Sequence, residues 1–512
     1  MKKLTLFLIG FLVVSLFNPN GLKAMQSIKY NKPTNVAVVN SSSGSITTQG
    51  TFQLINLDTN SISYLPTKTA LTFKKASNGI SVQFAGSTIV SNKGFQLLEL
   101  NSLPKMVIFN QSAPLRKGAT VSYDVIKQLN SGEAAPYLGT FTNFLGEVWY
   151  NVSSDSGNGW VSAKDTSFQE AINNTLNLGK LSNGRTYRGS YKITPKGTNI
   201  QIVNTLDLEN YLKGVVPNEM PSSWHKEALK AQAIAARSYA ANSMTLSDTA
   251  SSQVYRGYSS ENSRSNAAIQ ETDGLVVRYN GKVIQTFFFS TSGGQTANVG
   301  DVWNSNQASF PYLVSVNDPY EDSIYSNWSV DFSPQQVLTQ FGFNPTTTSL
   351  LNMSLNKPGQ NGEVRGVTIE TTDGSKTIEG NESVIRKLFP IPNSSYYNML
   401  YSNWFDVKLT KQSNSFSVQT PNGSVTMNEM NGQSVQTASG ITTVSSKEVE
   451  VQMPSGIQAY PTVNGVSNIT LNGKGWGHRI GMSQYGANGF AEKGWTAEQI
   501  ITHYFKGTTV SK

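Results

Sequence analysis

Two stretches of the 512-residue chain gather side chains able to do chemistry. The first, Tyr211-Leu-Lys-Gly-Val-Val-Pro-Asn-Glu219-Met-Pro-Ser-Ser-Trp224, sets one carboxylate between Pro217 and Pro221 and among Val215, Val216, Met220 and Trp224. If that apolar collar closes over Glu219, loss of water favours its neutral form and equips it as a general acid. The same placement suits a carboxylate that stabilises the N-terminal dipole of the next helix, and the residues alone leave both roles open. The second stretch is Gly475-Trp-Gly-His478-Arg-Ile-Gly-Met-Ser-Gln484-Tyr485-Gly-Ala. Its glycines allow close backbone approach and positive φ. Its Trp, His478, Gln484 and Tyr485 are the planar and polar groups that a saccharide groove uses. A structural histidine in a tight turn is the other reading of His478. Glu227 reads as a surface partner of Lys230 rather than as a second acid.

Other chemistries find no frame. His225, His478 and His503 are the only histidines, and none has an i, i+4 partner or a His-Glu-x-x-His setting. No glycine-rich loop ends in Lys-Ser/Thr, and no Gly-x-Ser-x-Gly elbow occurs. The chain has no cysteine, which removes disulfides, thiolate metal sites and thiol nucleophiles. No metal and no cofactor is therefore expected. Charged residues make up only 14%, and the formal net charge is +8. Three of those positive charges precede residue 25, leaving +5 on residues 25–512, without a Lys/Arg run of nucleic-acid type. Such a mild excess fits anionic polymers of a cell envelope better than a nucleic acid.

The elements that must position these groups are mostly strands. Residues 33–102 alternate short apolar runs with turn residues at the spacing of antiparallel β structure. Residues 105–165 carry further short strand candidates, one of them at 119–125. Helices concentrate after Asp207, which can cap a helix over 208–212 ending near Gly214. Ser223 is the expected cap of a second helix, from Trp224 to about Met244, with two alanine-rich stripes for close packing. Lys230, Ile234 and Arg237 share another face of it, placing two cations about 10 Å apart. Strand-like runs return at 275–279, 283–289 and 367–371, and 411–447 reads as hairpins with long turns. A short helix is expected over 497–504. At the N-terminus, Lys2 and Lys3 precede an apolar run over 4–17, and Leu-Lys-Ala24 is a plausible cleavage site. That run is short of the ~20 residues of a spanning helix. The expectation is a signal peptide over 1–24 and a secreted or wall-associated protein.

Six ordered motifs between 187 and 508 make the sequence resemble the stage II sporulation protein D / LytB (amidase enhancer) family. They are Leu208-Glu-Asn-Tyr-Leu-Lys-Gly-Val-Val-Pro-Asn-Glu-Met-Pro, Glu227-Ala-Leu-Lys-Ala-Gln-Ala-Ile-Ala-Ala-Arg-Ser-Tyr-Ala, and Gln253-Val-Tyr-Arg-Gly-Tyr. Phe288-Phe-Ser-Thr-Ser-Gly-Gly-Gln-Thr with Asp301-Val-Trp303, Ser402-Asn-Trp-Phe and the Gly475 stretch complete the set. Residues 105–165, with Leu115-Arg-Lys-Gly, Trp149-Tyr150 and Gly159-Trp-Val161, more weakly resemble a bacterial SH3 domain.

The resemblance implies a predominantly β, α+β protein: an antiparallel β-rich domain with a helical subdomain, plus a small SH3-like β-barrel. It divides the chain into 25–104, an N-terminal β-rich region read as the first part of the main domain, 105–165 (SH3-like) and 185–510 (the family's domain). It implies a protein of the peptidoglycan cell wall. In the sporulation branch that means a lytic transglycosylase whose acid is the glutamate of Glu-Met-Pro, here Glu219. In the LytB branch it means a non-enzymatic enhancer of a wall amidase. Glycan strands are the implied partner, with anionic wall polymers and an amidase as further ones. Lys230, Arg237, His478, Gln484 and Tyr485 are the candidate substrate-binding residues. Two departures stand out: Phe289 occupies a position where some members carry histidine, and Arg479 follows His478 where a small residue is usual.

Overall fold

The alternation read in the first two hundred residues becomes two packed sheets. The computed structural model describes residues 27–512 except 174–175, 393–397, 413–414, 421, 438, 446–447, 454–455 and 463, so the signal-peptide reading lies outside the described residues. The chain divides into two compact units, Met1–Val215 with Met244–Glu261, and Val216–Ser243 with Asn262–Lys512.

In the first unit, Pro33–Ser41 pairs antiparallel with Asn199–Asp207, and Ser190–Lys196 pairs with both Asn199–Asp207 and Phe95–Glu99. The sequence-based boundary at 185 therefore falls within one sheet. Strands Pro33–Ser41, Phe52–Asn56, Ile62–Leu65 and Phe95–Glu99 form it together with Ser190–Lys196 and Asn199–Asp207. A second sheet runs through Leu178–Leu181, Ser43–Gln49, Ala70–Ala76 and Gly79–Phe84. Period-2 patterns bury one face of each strand: Val36, Ile46, Phe52, Phe73, Phe95 and Ile202 are all fully buried. Phe73 of one sheet meets Phe95 of the other with ring centroids 6.2 Å apart.

Between these strands, Met106–Phe109, Ala113–Arg116, Val125–Leu129, Ala134–Thr142, Val148–Ser154, Gly157–Ser162 and Thr166–Gln169 form antiparallel ladders around Val107, Phe109, Leu115, Val152 and Val161. No ladder among the described residues closes them into a barrel. The strand expected over 119–125 is a turn-rich loop, and the strand begins at Val125. Lys117 N–H donates to the Asp124 carbonyl, and Arg116 Nη1 to that of Tyr123, so backbone groups that a ladder would use close a loop instead.

The second unit is built on the helix Lys226–Ala241, which packs against Ser263–Glu271, Gln484–Glu492 and Ala497–Tyr504. Its cap is His225, whose Nδ1 accepts from Glu227 N–H at 3.2 Å, and not Ser223. The serines before it lie in a turn held by Arg264, which donates to the carbonyls of Ser222 (2.8 Å) and Trp224 (3.1 Å). Two three-stranded sheets, Trp328–Phe332/Val466–Gly473/Phe405–Lys411 and Leu350–Asn356/Gly366–Thr371/Gly374–Glu379, enclose a separate core around Phe332, Ile369, Phe389 and Leu471. The hairpins expected after 411 are present as Phe416–Thr420/Gly423–Met427 and Ser434–Thr437/Gly440–Thr443, with a third at Glu448–Met453/Gly456–Pro461. The chain is thus predominantly β with one helical cluster. Among the described residues no helix is long and apolar enough to cross a membrane.

Candidate functional site

Glu219 ends a single helical turn, Val216–Glu219. Pro217 is tolerated in that first turn because its missing N–H has no intrahelical partner to lose. Buried Val215 and Val216 before Glu219, and buried Met220 after it, anchor the turn, while the Glu219 side chain is half-buried. Facing it is the helix Gln484–Glu492, a helix not read from the glycine-rich sequence. Its first residue, Gln484, donates from Nε2 to Glu219 Oε2 at 3.2 Å. The ring of Tyr485 meets Trp224 edge-on with centroids 4.8 Å apart. One turn on, Asn488 Oδ1 accepts from His225 N–H at 3.0 Å. Three consecutive contacts thus fasten the helix to the segment that carries the carboxylate.

That helix is itself anchored. Ser483 caps it by accepting from Gly486 N–H at 3.0 Å, and its hydroxyl donates to Glu321 Oε2 at 3.1 Å. The same carboxylate accepts from Gly293 N–H and Ser326 Oγ, both at 2.9 Å, and from Ser292 N–H. Beside it Asp318 is fully buried. Burial first, and then the Glu321 charge, push its carboxyl up to about 7; nearby hydroxyls of Ser292, Tyr504 and Ser483 offset part of this, although none makes a full hydrogen bond to it. Spacing offered no signal for Asp318 and Glu321, because neither lies near Glu219 in sequence.

The other candidates are placed differently. Lys230 pairs with Glu227 at 2.8 Å, as read from their i, i+3 spacing, and lies 3.9 Å from Glu271. Arg237 has no exposed surface and donates to the carbonyls of Ala233, Leu275 and Ile269. It ties the central helix to its neighbours. His478 stands among Phe287, Phe289 and Trp303, with ring centroids 5.1 to 6.2 Å away, and its Nδ1 accepts from Ile480 N–H at 3.1 Å. Burial holds its imidazole down to about 4, so it is neutral near pH 7. The structure therefore brings Glu219, Gln484 and Tyr485 together, and sets Lys230, Arg237 and His478 in contacts of their own.

Arg479, the departure noted above, turns inward at φ 62°. It pairs with Glu363 at 3.1 Å with both side chains fully buried, donates to the carbonyls of Ser292 and Gln295, and stacks 3.9 Å from the Trp404 ring centroid. Its residue type thus serves the loop's interior. Gly475 has φ 76°, and a Cβ there would lie 2.7 Å from the Thr291 carbonyl, so this position requires glycine. Among the described residues no group of three or more His, Cys, Asp or Glu side chains is arranged to hold a metal ion.

Glu219 is thus a half-buried carboxyl group accepting from an amide donor, on a segment that also carries the Trp224–Tyr485 ring contact. Comparison with known proteins agrees with the resemblance in the motifs. Residues 196–279 match the family model described as "Stage II sporulation protein". It is 29% identical over 463 residues to "Amidase enhancer" of Bacillus subtilis (strain 168), covering 83% of this chain and 59% of that protein. It is 27% identical over 335 residues to "Stage II sporulation protein D" of the same organism, covering 61% of this chain and 76% of that one. "Stage II sporulation protein D" of Bacillus amyloliquefaciens is 26% identical, over 60% of this chain and 76% of its own length. The chain thus spans less than two thirds of the amidase-enhancer relative. A solved structure titled "Structure of NlpC2 from Trichomonas vaginalis" shares 13% identity over 26% of this chain and 49% of that one, at a TM-score of 0.11, too slight a likeness to describe the fold.

Proposed function

We propose that the protein is exported, works at the bacterial cell wall, and cleaves peptidoglycan glycan strands as a lytic transglycosylase. The observation that carries this reading is the contact between Glu219 and Gln484, with Trp224 and Tyr485 beside it. Protonated Glu219 gives its proton to the glycosidic oxygen as the bond from that oxygen to the anomeric carbon breaks. The 6-hydroxyl of the same sugar attacks the anomeric carbon and returns its proton to the Glu219 carboxylate. One carboxyl group closes the cycle and no water is consumed, so the route needs no second carboxylate, unlike hydrolysis by a carboxylate pair. Tyr485 and Trp224 supply ring surfaces for the sugars, and Gln484 fixes the orientation of the acid.

The test is mass spectrometry of products after residues 25–512 are incubated with peptide-free glycan strands, beside the Glu219→Gln variant. Fragments ending in 1,6-anhydro-N-acetylmuramic acid, absent with the variant, are expected. Equal cleavage by the variant would remove Glu219 from the mechanism.

The likeness to a protein named amidase enhancer favours a second reading, in which the chain binds wall and stimulates a separate amidase. Residues 105–165, read as SH3-like, are then the wall-binding part. Under this reading the chain releases no anhydro sugars but raises hydrolysis when an amidase is added. No effect on any wall hydrolase would end it.

A further inference from the structure

A cleft of about 550 Å³ opens at the end of the sheet formed by Trp328–Phe332, Val466–Gly473 and Phe405–Lys411. Its volume lies in the range of small-molecule sites. The register shows how the strands build it. Trp328, Gly473 and Phe405 lie side by side in one row, and Trp328 and Phe405 face the core. A Cβ on Gly473 would come 2.1 Å from the Trp328 indole, so glycine in the middle strand is what lets that ring pack beneath it. The adjacent row, Ser329, Asn472 and Asp406, must then face outward, and all three are exposed. Two positions further along each strand direction come Asn327, Lys474 and Trp404, which line the same opening.

The chemistry of this surface is specific. Trp404 is half-buried, with the Arg479 guanidinium stacked on its indole; Lys474 Nζ lies 5.1 Å from the ring centroid. Lys474 is exposed, and no carboxylate pairs with it among the described residues. Asp406 is already paired with Lys357. The cleft therefore combines an indole, two carboxamides and a hydroxyl with one cation that lacks an anion. We infer that this cleft is a second saccharide site, which takes a sugar bearing a carboxylate: the ring packs on Trp404, the carboxylate meets Lys474, and Asn327, Ser329 and Asn472 bond its hydroxyl or amide groups. The identification of that sugar as part of a peptide-free glycan strand rests on the function proposed above. The site itself stands on the cleft alone.

The test measures binding in full-length Glu219→Gln protein by titration calorimetry, with two probes. One is a peptide-free tetrasaccharide of alternating N-acetylglucosamine and N-acetylmuramic acid. The other is the neutral tetramer of N-acetylglucosamine. The acidic probe binds about tenfold more tightly, and Lys474→Ala removes that preference. Asn472→Ala weakens both probes. Both substitutions are on exposed side chains and leave the unfolding midpoint unchanged. Equal affinity for the two probes, or a preference untouched by Lys474→Ala, overturns the inference. A preference that depends on Lys474 in a chain whose parent form releases no anhydro sugars would sink the transglycosylase reading and leave this site standing.

Discussion

In the reaction proposed above, the Glu219 carboxyl is oriented in part by a hydrogen bond from Gln484, a residue 265 positions away. Gln484→Ala removes that donor without touching the fold of the one-turn helix. We expect kcat for glycan cleavage to fall about tenfold or more, with KM changing little, because the lost contact orients the acid rather than holding substrate. In a Glu219→Gln background the same substitution should cost nothing further. A loss confined to KM would show that Gln484 binds sugar instead. Asp318 carries a second prediction. Burial and the Glu321 charge push its carboxyl up to about 7, against 3.8 for an ordinary aspartate, so between those values the native state keeps a proton that the unfolded chain has released. Stability from this group is full below about pH 4 and is lost as pH rises through 7, by a few kcal/mol at most, at about 1.4 per unit. His478 acts in the opposite sense: its folded value lies below 6.5, so its contribution is present above 6.5 and lost as pH falls through about 4. Comparing Asp318→Asn with the parent at each pH cancels the histidine. The variant should gain on the parent between pH 4 and 7 in urea unfolding; parallel curves would show that Asp318 is ionised throughout.

At the scale of elements, the loop from Gly473 to Ser483 is held by its one inward cation. Glu363→Gln leaves Arg479 buried without its ion-pair partner, and we expect a loss of about 3–5 kcal/mol in urea unfolding. Arg479→Lys should be nearly as costly, since one ammonium cannot reproduce the bonds to Ser292 and Gln295 and the stack on Trp404. A loss below about 1 kcal/mol in both would mean that water relieves the pair. This loop shows where sequence reasoning stops. Periodicity placed the helix Lys226–Ala241 to within a turn, and placed Ala497–Tyr504 to the residue, because apolar spacing and caps are local signals. It put Arg237 on a face with Lys230, but a helical wheel shows which residues share a face, not which faces are covered. Ser263–Glu271 and the chain near Leu275 cover that one. The helix Gln484–Glu492 went unread because Gly486 and Gly489 lower its local propensity. Its position is set by the Ser483 cap and by contacts with residues more than two hundred positions earlier.

At the scale of the molecule, the six motifs do not describe one site. The family match over residues 196–279 runs through both compact units. Glu219 belongs to the second, while Gln253-Val-Tyr-Arg-Gly-Tyr belongs, with the rest of Met244–Glu261, to the first. There Tyr255 is buried against Tyr187 and Tyr211 and its hydroxyl donates to Asn204 Oδ1 at 2.9 Å, while Tyr211 donates to Gln253 at 2.8 Å and Arg188 pairs with Glu261. A reader of the sequence sees six segments in order, and their order carries no mark of which ones share a core. The division predicts how the chain can be cut. Residues 216–512 made alone carry segment 244–261 without its partners, exposing Tyr255 and Gln253 that are buried in the whole protein. That fragment should bind a hydrophobic dye and unfold over a broad range. Replacing 244–261 in it by a Gly/Ser segment of equal length removes the stranded side chains and leaves the closure of the loop about equally costly. The replaced fragment should be monomeric by light scattering and unfold in one sharp step. Identical behaviour of the two fragments would show that 244–261 folds against the second unit after all, and that the core drawn around Tyr255 is not what holds it.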